Sequence, residues 1–170
     1  KIRIPFGEVS PKAEVLQAAW DCVTERVATG AELLAAATKV GGKTVDEAIA
    51  SAIRDSGVGH VGALSSIGGE LASGNGFIAS LHRQERRLRA LDGVNLMILR
   101  PGAFFEGFYA ALETIRHEGV VADSVAPEAK VPMIATADIA AVAAGALRER
   151  NWTGAVVREL LGPRDLTYTE

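Results

Sequence analysis

Apolar residues cluster in two short runs between Val58 and Gly102. Val58, Val61, Ala63 and Leu64 make the first, which ends in Ser65-Ser66. Val94-Asn95-Leu96-Met97-Ile98-Leu99 makes the second, which ends in Arg100-Pro101-Gly102. Between them, behind a glycine-rich stretch from Ile67 to Gly76, Ile78, Leu81, Leu88 and Leu91 recur at helical spacing from Phe77 to Leu91. Two apolar runs flanking one helical pattern predict strand, crossover helix and strand, the unit of a parallel sheet. The near-continuous apolarity of the first run predicts burial on both faces, with Val58, Val61, Ala63 and Leu64 in the core. In open parallel sheets ligands sit outside the carboxyl ends of the strands. Ser65-Ser66 and Arg100-Pro101-Gly102 therefore border a candidate crevice.

The same periodicities organise the rest. Ser10 and Pro11 open a helical pattern running to about Val27, and Ala31 to Lys39 carries a second, stopped by Gly41-Gly42. Thr44 to Glu47 has the spacing of a capping box, and Val45, Ala48, Ile49, Ala52 and Ile53 form the stripe of a helix ending at Gly57. Phe104, Phe105, Phe108, Tyr109, Leu112 and Ile115 predict an aromatic-rich helix that packs in the core and closes at Glu118-Gly119. Phe105, just past the strand end, is the candidate for lining the crevice edge. Val131 to Ile134 reads as extended. Thr136 is the candidate N-cap of an Ala-rich helix from Ile139 to Arg148, with Asp138 charging its first turn. Val156 to Leu161 reads as a strand stopped by Gly162-Pro163, and Asp165 to Glu170 as the start of a helix. The chain divides into a mainly helical segment, 1–43, and an α/β part, 44–170, with a partial doubly wound parallel sheet and flanking helices.

Composition narrows the chemistry. A length of 170 residues with 48% hydrophobic content supports a packed core. A net charge of −3 argues against a nucleic-acid footprint, which needs a basic face. No run approaches the ~18 apolar residues of a membrane span. Lys1-Ile2-Arg3-Ile4-Pro5 lacks the apolar core of a secretory signal and an initiator Met, the expectation for a chain that is processed, trimmed or given in part. Cys22 is the one cysteine, which leaves no intrachain disulfide or Cys-based metal site and reads as a buried, inert thiol. His82, Arg83, Glu85, Arg86, Arg87 and Arg89 form the polar face of the crossover helix, read as solvated, with Glu85 paired to nearby arginines. His82 is the one histidine on this helix, the side-chain type whose unperturbed titration falls near neutrality. It reads either as a helix-face histidine or as a proton donor or substrate contact.

Several segments in order resemble the NmrA-like branch of the atypical short-chain dehydrogenase/reductases. They are Leu64-Ser65-Ser66, His82-Arg83-Gln84-Glu85-Arg86-Arg87-Leu88, Leu99-Arg100-Pro101-Gly102-Ala103-Phe104-Phe105-Glu106, Ile134-Ala135-Thr136-Ala137-Asp138-Ile139-Ala140 and Glu159-Leu160-Leu161-Gly162-Pro163. The resemblance covers about residues 44–170. It implies the second half of a Rossmann domain that binds NAD or NADP, with a small substrate lobe. It places Leu64, Ser65 and Ser66 beside the nicotinamide and Arg100, Pro101 and Gly102 on its other side. Two departures stand out. The family's N-terminal Gly-x-x-Gly-x-x-Gly turn, which holds the pyrophosphate, has no counterpart in residues 1–57. The crossover helix also lacks the Tyr-x-x-x-Lys pair of short-chain dehydrogenases. The resemblance implies an NAD(P)H-dependent reductase of a small molecule; the departures leave open a non-catalytic regulatory protein on a degraded Rossmann scaffold. With no further parallel strand beside Val58–Leu64, the sheet would expose an edge that N-terminal helices cover or that pairs two chains.

Overall fold

The computed structural model describes residues 2–3, 45–76, 78–121, 123 and 125–170. The expected helices of the 1–43 segment, Cys22, the Thr44 cap and Phe77 lie outside the described residues.

Four strands form a wholly parallel sheet: β1 (Ile2–Arg3), β6 (Ala155–Leu161), β3 (Asn95–Pro101) and β2 (His60–Leu64), side by side in that order. Helices α1 (Val45–Ser56), α2 (Ile78–Arg89) and α4 (Thr136–Glu149) flank it. β3 is the central strand, and its alternating side chains feed two cores. Leu96 and Ile98 pack with Ala50, Leu88 and Leu91 beneath α1 and α2. Met97 and Leu99 pack with Ile134, Ile139, Ala146, Trp152 and Leu160 beneath α4. Helices on both faces of a parallel sheet are the partial Rossmann-like arrangement expected from the sequence. At the start of β3, Asn95 Nδ2 donates to the Gly59 carbonyl (3.2 Å) and Asn95 Oδ1 accepts from the Gly154 N–H (2.8 Å).

A smaller sheet follows the tip of β3. β4 (Ala103–Phe104) pairs in parallel with β5 (Val131–Ile134), which pairs antiparallel with β7 (Asp165–Leu166). A 3-10 segment (Phe105–Ala111) and α3 (Leu112–Glu118) lie between β4 and β5. The two sheets meet at Gly102, which is buried; a Cβ there would run into the Pro132 carbonyl.

Several expectations need correction. β2 is not buried on both faces: it is the outer strand among the described residues, and Leu64 is 52% exposed. Ala50, outside the expected stripe, is the residue α1 buries best. The aromatic helix is instead a short strand, a 3-10 segment and one brief helix, with Tyr109 69% exposed. Its bulky residues cover the small lobe, which is too thin to bury them. Asp165 and Leu166 form a strand, because the turn after Gly162-Pro163 brings them back against Val131 and Pro132. Among the described residues no helix is long and apolar enough to cross a membrane.

Candidate functional site

The ladder continues past the ends of the strands and gathers their tips. Ser65 N–H donates to the Leu99 carbonyl (2.7 Å), Ile67 N–H to Pro101 (3.0 Å), Gly102 N–H to Leu160 (3.0 Å) and Gly162 N–H to Met133 (2.9 Å). Leu64, Ser65, Ser66, Arg100, Pro101 and Gly102 are thus brought together. Strand alternation then divides their side chains between two faces.

On the α2 side, Ser65 and Arg100 are committed to one buried carboxylate. Glu85 Oε1 accepts from Ser65 Oγ (2.6 Å) and from Arg100 Nε (2.9 Å), and Oε2 accepts from Arg100 Nη2 (2.7 Å). This is a bidentate fork with a hydroxyl added, the geometry that makes ion pairs strong. Arg100 Nη1 also donates to Glu70 in the loop above the tips (3.0 Å). The side chains of Glu85 and Arg100 are 4% and 11% exposed. Burial pushes the Glu85 carboxyl up, but bonds from Arg100 and Ser65 and the charges of Arg100 and Arg89 outweigh it, so its pKa is lowered. The same pair raises that of Arg100. Glu85 therefore does not belong to a solvated face. It does pair with arginines, Arg100 foremost and Arg89 at 3.8 Å.

The loop above is packed onto this cluster. A Cβ on Gly69 would lie 2.6 Å from Glu85 Oε1 and 2.8 Å from Ser65 Oγ, so only glycine lets the backbone come this close. His82, one turn before Glu85 on α2, places Nδ1 3.0 Å from the Gly69 carbonyl. A carbonyl only accepts, so Nδ1 carries the proton and Nε2 is the remaining ring nitrogen.

On the α4 side, Leu64 and Leu99 turn into an apolar cavity of about 280 Å³ that also touches Phe104, Ile139, Ala143 and Trp152. Among the described residues the buried Trp152 indole N–H has no hydrogen-bond partner; Trp152 packs on His60 at the start of β2, the end of the sheet away from the tips. Phe104 also borders a second cavity, of about 450 Å³, in the small lobe with Phe108 and Tyr168. Phe105 is half-buried and lines neither cavity. Its neighbour Phe104, the last residue of β4, takes that place and lines both.

Glu106 ties the lobe to the main sheet's helix. Its carboxylate accepts from the Thr136 N–H (2.9 and 3.1 Å) and from Thr136 Oγ1 (2.7 Å). Ala135, not Thr136, is the N-cap residue of α4, so the capping oxygen is supplied across space by Glu106. Burial raises the Glu106 pKa, and the Thr136 bonds and a backbone N–H reverse that to a net lowering. Asp138 sits in the first turn of α4 as expected, and burial plus the Glu106 charge raise its pKa.

The described residues fit one end of a nicotinamide dinucleotide better than the other. An apolar recess beside α4 that reaches Leu64 and Leu99 near the tips suits a flat ring. For two phosphates, the glycine turn that leads into α2, Gly74-Asn75-Gly76, lacks the Gly-x-x-Gly-x-x-Gly spacing, and the buried guanidinium is already bound to Glu85 and Glu70.

Agroclavine dehydrogenase of Claviceps fusiformis is 38% identical to this chain over 92 residues. That match takes in 49% of this chain but 29% of the dehydrogenase. No protein-family model matches the chain. The chain is thus a distant, partial relative of a dehydrogenase.

Proposed function

We propose that these residues form the second half of an NAD(P)-binding oxidoreductase module of the NmrA-like type, reducing a small molecule. One observation carries this reading: the tips of β2 and β3 lie side by side, with Leu64 and Leu99 opening one apolar recess. The partial likeness to a dehydrogenase supports it. In this reading Leu64 receives the nicotinamide ring, Ser66 hydrogen-bonds ribose or substrate, and the backbone of Pro101 and Gly102 forms the far wall. Ser65 and Arg100 hold the tips in place through Glu85. Phe104, which borders both cavities, takes the substrate edge that Phe105 was expected to line, and His82 is the candidate substrate contact or, in its imidazolium form, the proton donor through Nε2. The outer edge of β2 is the surface on which a second copy would pair, and a cytoplasmic setting accords with the single Cys22.

Fluorescence titration with NADPH and with NADH tests it. Saturable binding in the micromolar range is expected with one of the two, and Ala143→Phe, which projects a ring into the recess, should abolish it. No response to either cofactor at high micromolar concentration removes the oxidoreductase reading in favour of a non-catalytic scaffold.

A further inference from the structure

The loop between the tip of β2 and α2 holds a residue pair with chemistry of its own. Asparagine is a labile side chain, because the backbone nitrogen of the next residue can attack its amide carbon. The chain has three asparagines, Asn75, Asn95 and Asn151, and Asn75 is the one followed by glycine. Asn95 is bonded through both ends of its amide, and the Leu96 N–H after it donates to the Gly154 carbonyl (2.9 Å). Asn151 precedes the bulky, buried Trp152. Gly76, by contrast, has no Cβ to obstruct the approach and sits at a φ of 60°. Its N–H makes no hydrogen bond among the described residues. Asn75 itself is half-buried, outside helix and strand, and its Oδ1 has no partner among the described residues.

The amide of Asn75 also holds the loop shut. Its Nδ2 donates to the Gly68 carbonyl (2.8 Å) and to the Leu71 carbonyl (3.3 Å). The turn so fastened is the one that lies on the strand-tip cluster. Gly69 packs on Glu85 and Ser65, the Gly69 carbonyl meets His82, and Glu70 takes Nη1 of Arg100. We propose that Asn75-Gly76 is a spontaneous deamidation site, and that its conversion unlatches this loop from the strand tips. Hydroxide removes the Gly76 N–H proton, and the nitrogen attacks Asn75 Cγ. A C–N bond forms to close a cyclic imide, the Cγ–Nδ2 bond breaks, and ammonia leaves with a proton from water. Water then opens the imide at either carbonyl, giving aspartate or isoaspartate; one water is consumed, one ammonia is released and nothing is oxidised or reduced. An ionised carboxylate has no N–H to give. It would face the Gly68 and Leu71 carbonyls with acceptors alone, so both fastenings are lost. The inference does not rest on cofactor binding, and its test uses none.

Peptide mapping of the full chain held in mildly alkaline buffer tests the chemistry. Tryptic fragment 55–83 carries Asn75 as its one side-chain amide. It should exchange amide for acid at least tenfold faster than the fragments carrying Asn95 and Asn151, and as a mixture of aspartate and isoaspartate. Asn75→Gln, whose longer side chain closes the ring poorly, should leave that fragment unchanged over the same period. Hydrogen exchange tests the latch. In Asn75→Asp the amides of Gly69 and Leu71, which donate within the loop, should exchange at least tenfold faster than in the wild type, with those of β3 unchanged within twofold. Conversion at Asn75 no faster than at Asn95 or Asn151 overturns the proposal. So does conversion that persists in Asn75→Gln, or loop exchange unchanged in Asn75→Asp. Equal acceleration in β3 also overturns it, because that is general unfolding rather than an opened latch.

Discussion

Glu85 and Glu106 each fasten a strand tip to another element, one on each face of the sheet, yet they work in opposite settings. Glu85 is sealed in, and its charge is answered by a guanidinium fork and a hydroxyl. Glu106 is less buried and is answered by one hydroxyl and the first amide of a helix. Both carboxyls are held below their ordinary range, so pKa alone does not tell them apart. What separates them is the cost of losing the partner. Water can replace the partner of Glu106 readily, whereas the fork between Arg100 and Glu85 is 11% and 4% exposed.

The comparison is broken most sharply by deleting Arg100. Arg100→Ala leaves the buried carboxylate with Arg89, at 3.8 Å and outside the hydrogen-bonded fork, as its remaining cation, and should cost about 3–5 kcal/mol in urea denaturation. Glu85→Ala should cost less, because Arg100 keeps Glu70, which is half-exposed and can follow it. Replacing both with apolar residues of similar volume should recover most of the loss. An Arg100→Ala cost below about 1 kcal/mol would mean the pair is not a clamp. The pH dependence follows the same logic. The Glu85 pKa lies below its ordinary 4.5 in the folded chain, so the carboxylate's contribution is complete above that value. It is lost as pH falls through the lowered pKa. The stability gap between wild type and Glu85→Gln should therefore be flat above pH 4.5 and close in more acid solution.

Gly102 stands between the two regions and should give the next largest effect. Gly102→Ala must part the strand tip from the Pro132 carbonyl. A cost of about 1–3 kcal/mol is expected in the same denaturation experiment, and a neutral result would show that the two sheets are loosely joined. The smallest change is Glu106→Ala, which removes the cap on α4. It should cost about 0.5–2 kcal/mol, as other N-cap losses do. Restoring a local cap with Ala135→Ser should return part of it.

The main sheet was readable because its signals are local. An apolar run between turn residues reads as a strand wherever it lies in the chain, and β3 and β6 lie where periodicity placed them; β2 is a strand too, though at the sheet's outer edge. The adjoining positions of Ser65 and Pro101 were readable for the same reason. The partners of Ser65 and Arg100 were not: Glu85 looks like one more charge on a polar helix face until the crossover turns it under the strand tips. The lobe was the least legible. Its elements are two to seven residues long, too short for any period to repeat. Tyr168 and Asp123 are 45 residues apart and meet through a fold neither segment announces.

The central strand has apolar side chains on both faces, and that has a consequence for how the chain finds its alignment. Sliding β3 by one residue would exchange Leu96 and Ile98 for Met97 and Leu99, and greasiness would hardly distinguish the two placements. The choice falls to the groups at its ends. Asn95 meets Gly59 and Gly154 in one placement only, and Arg100 would swing to the face opposite Glu85 in the other. The polar contacts at the two ends thus act as an indexing device for a strand whose middle cannot count.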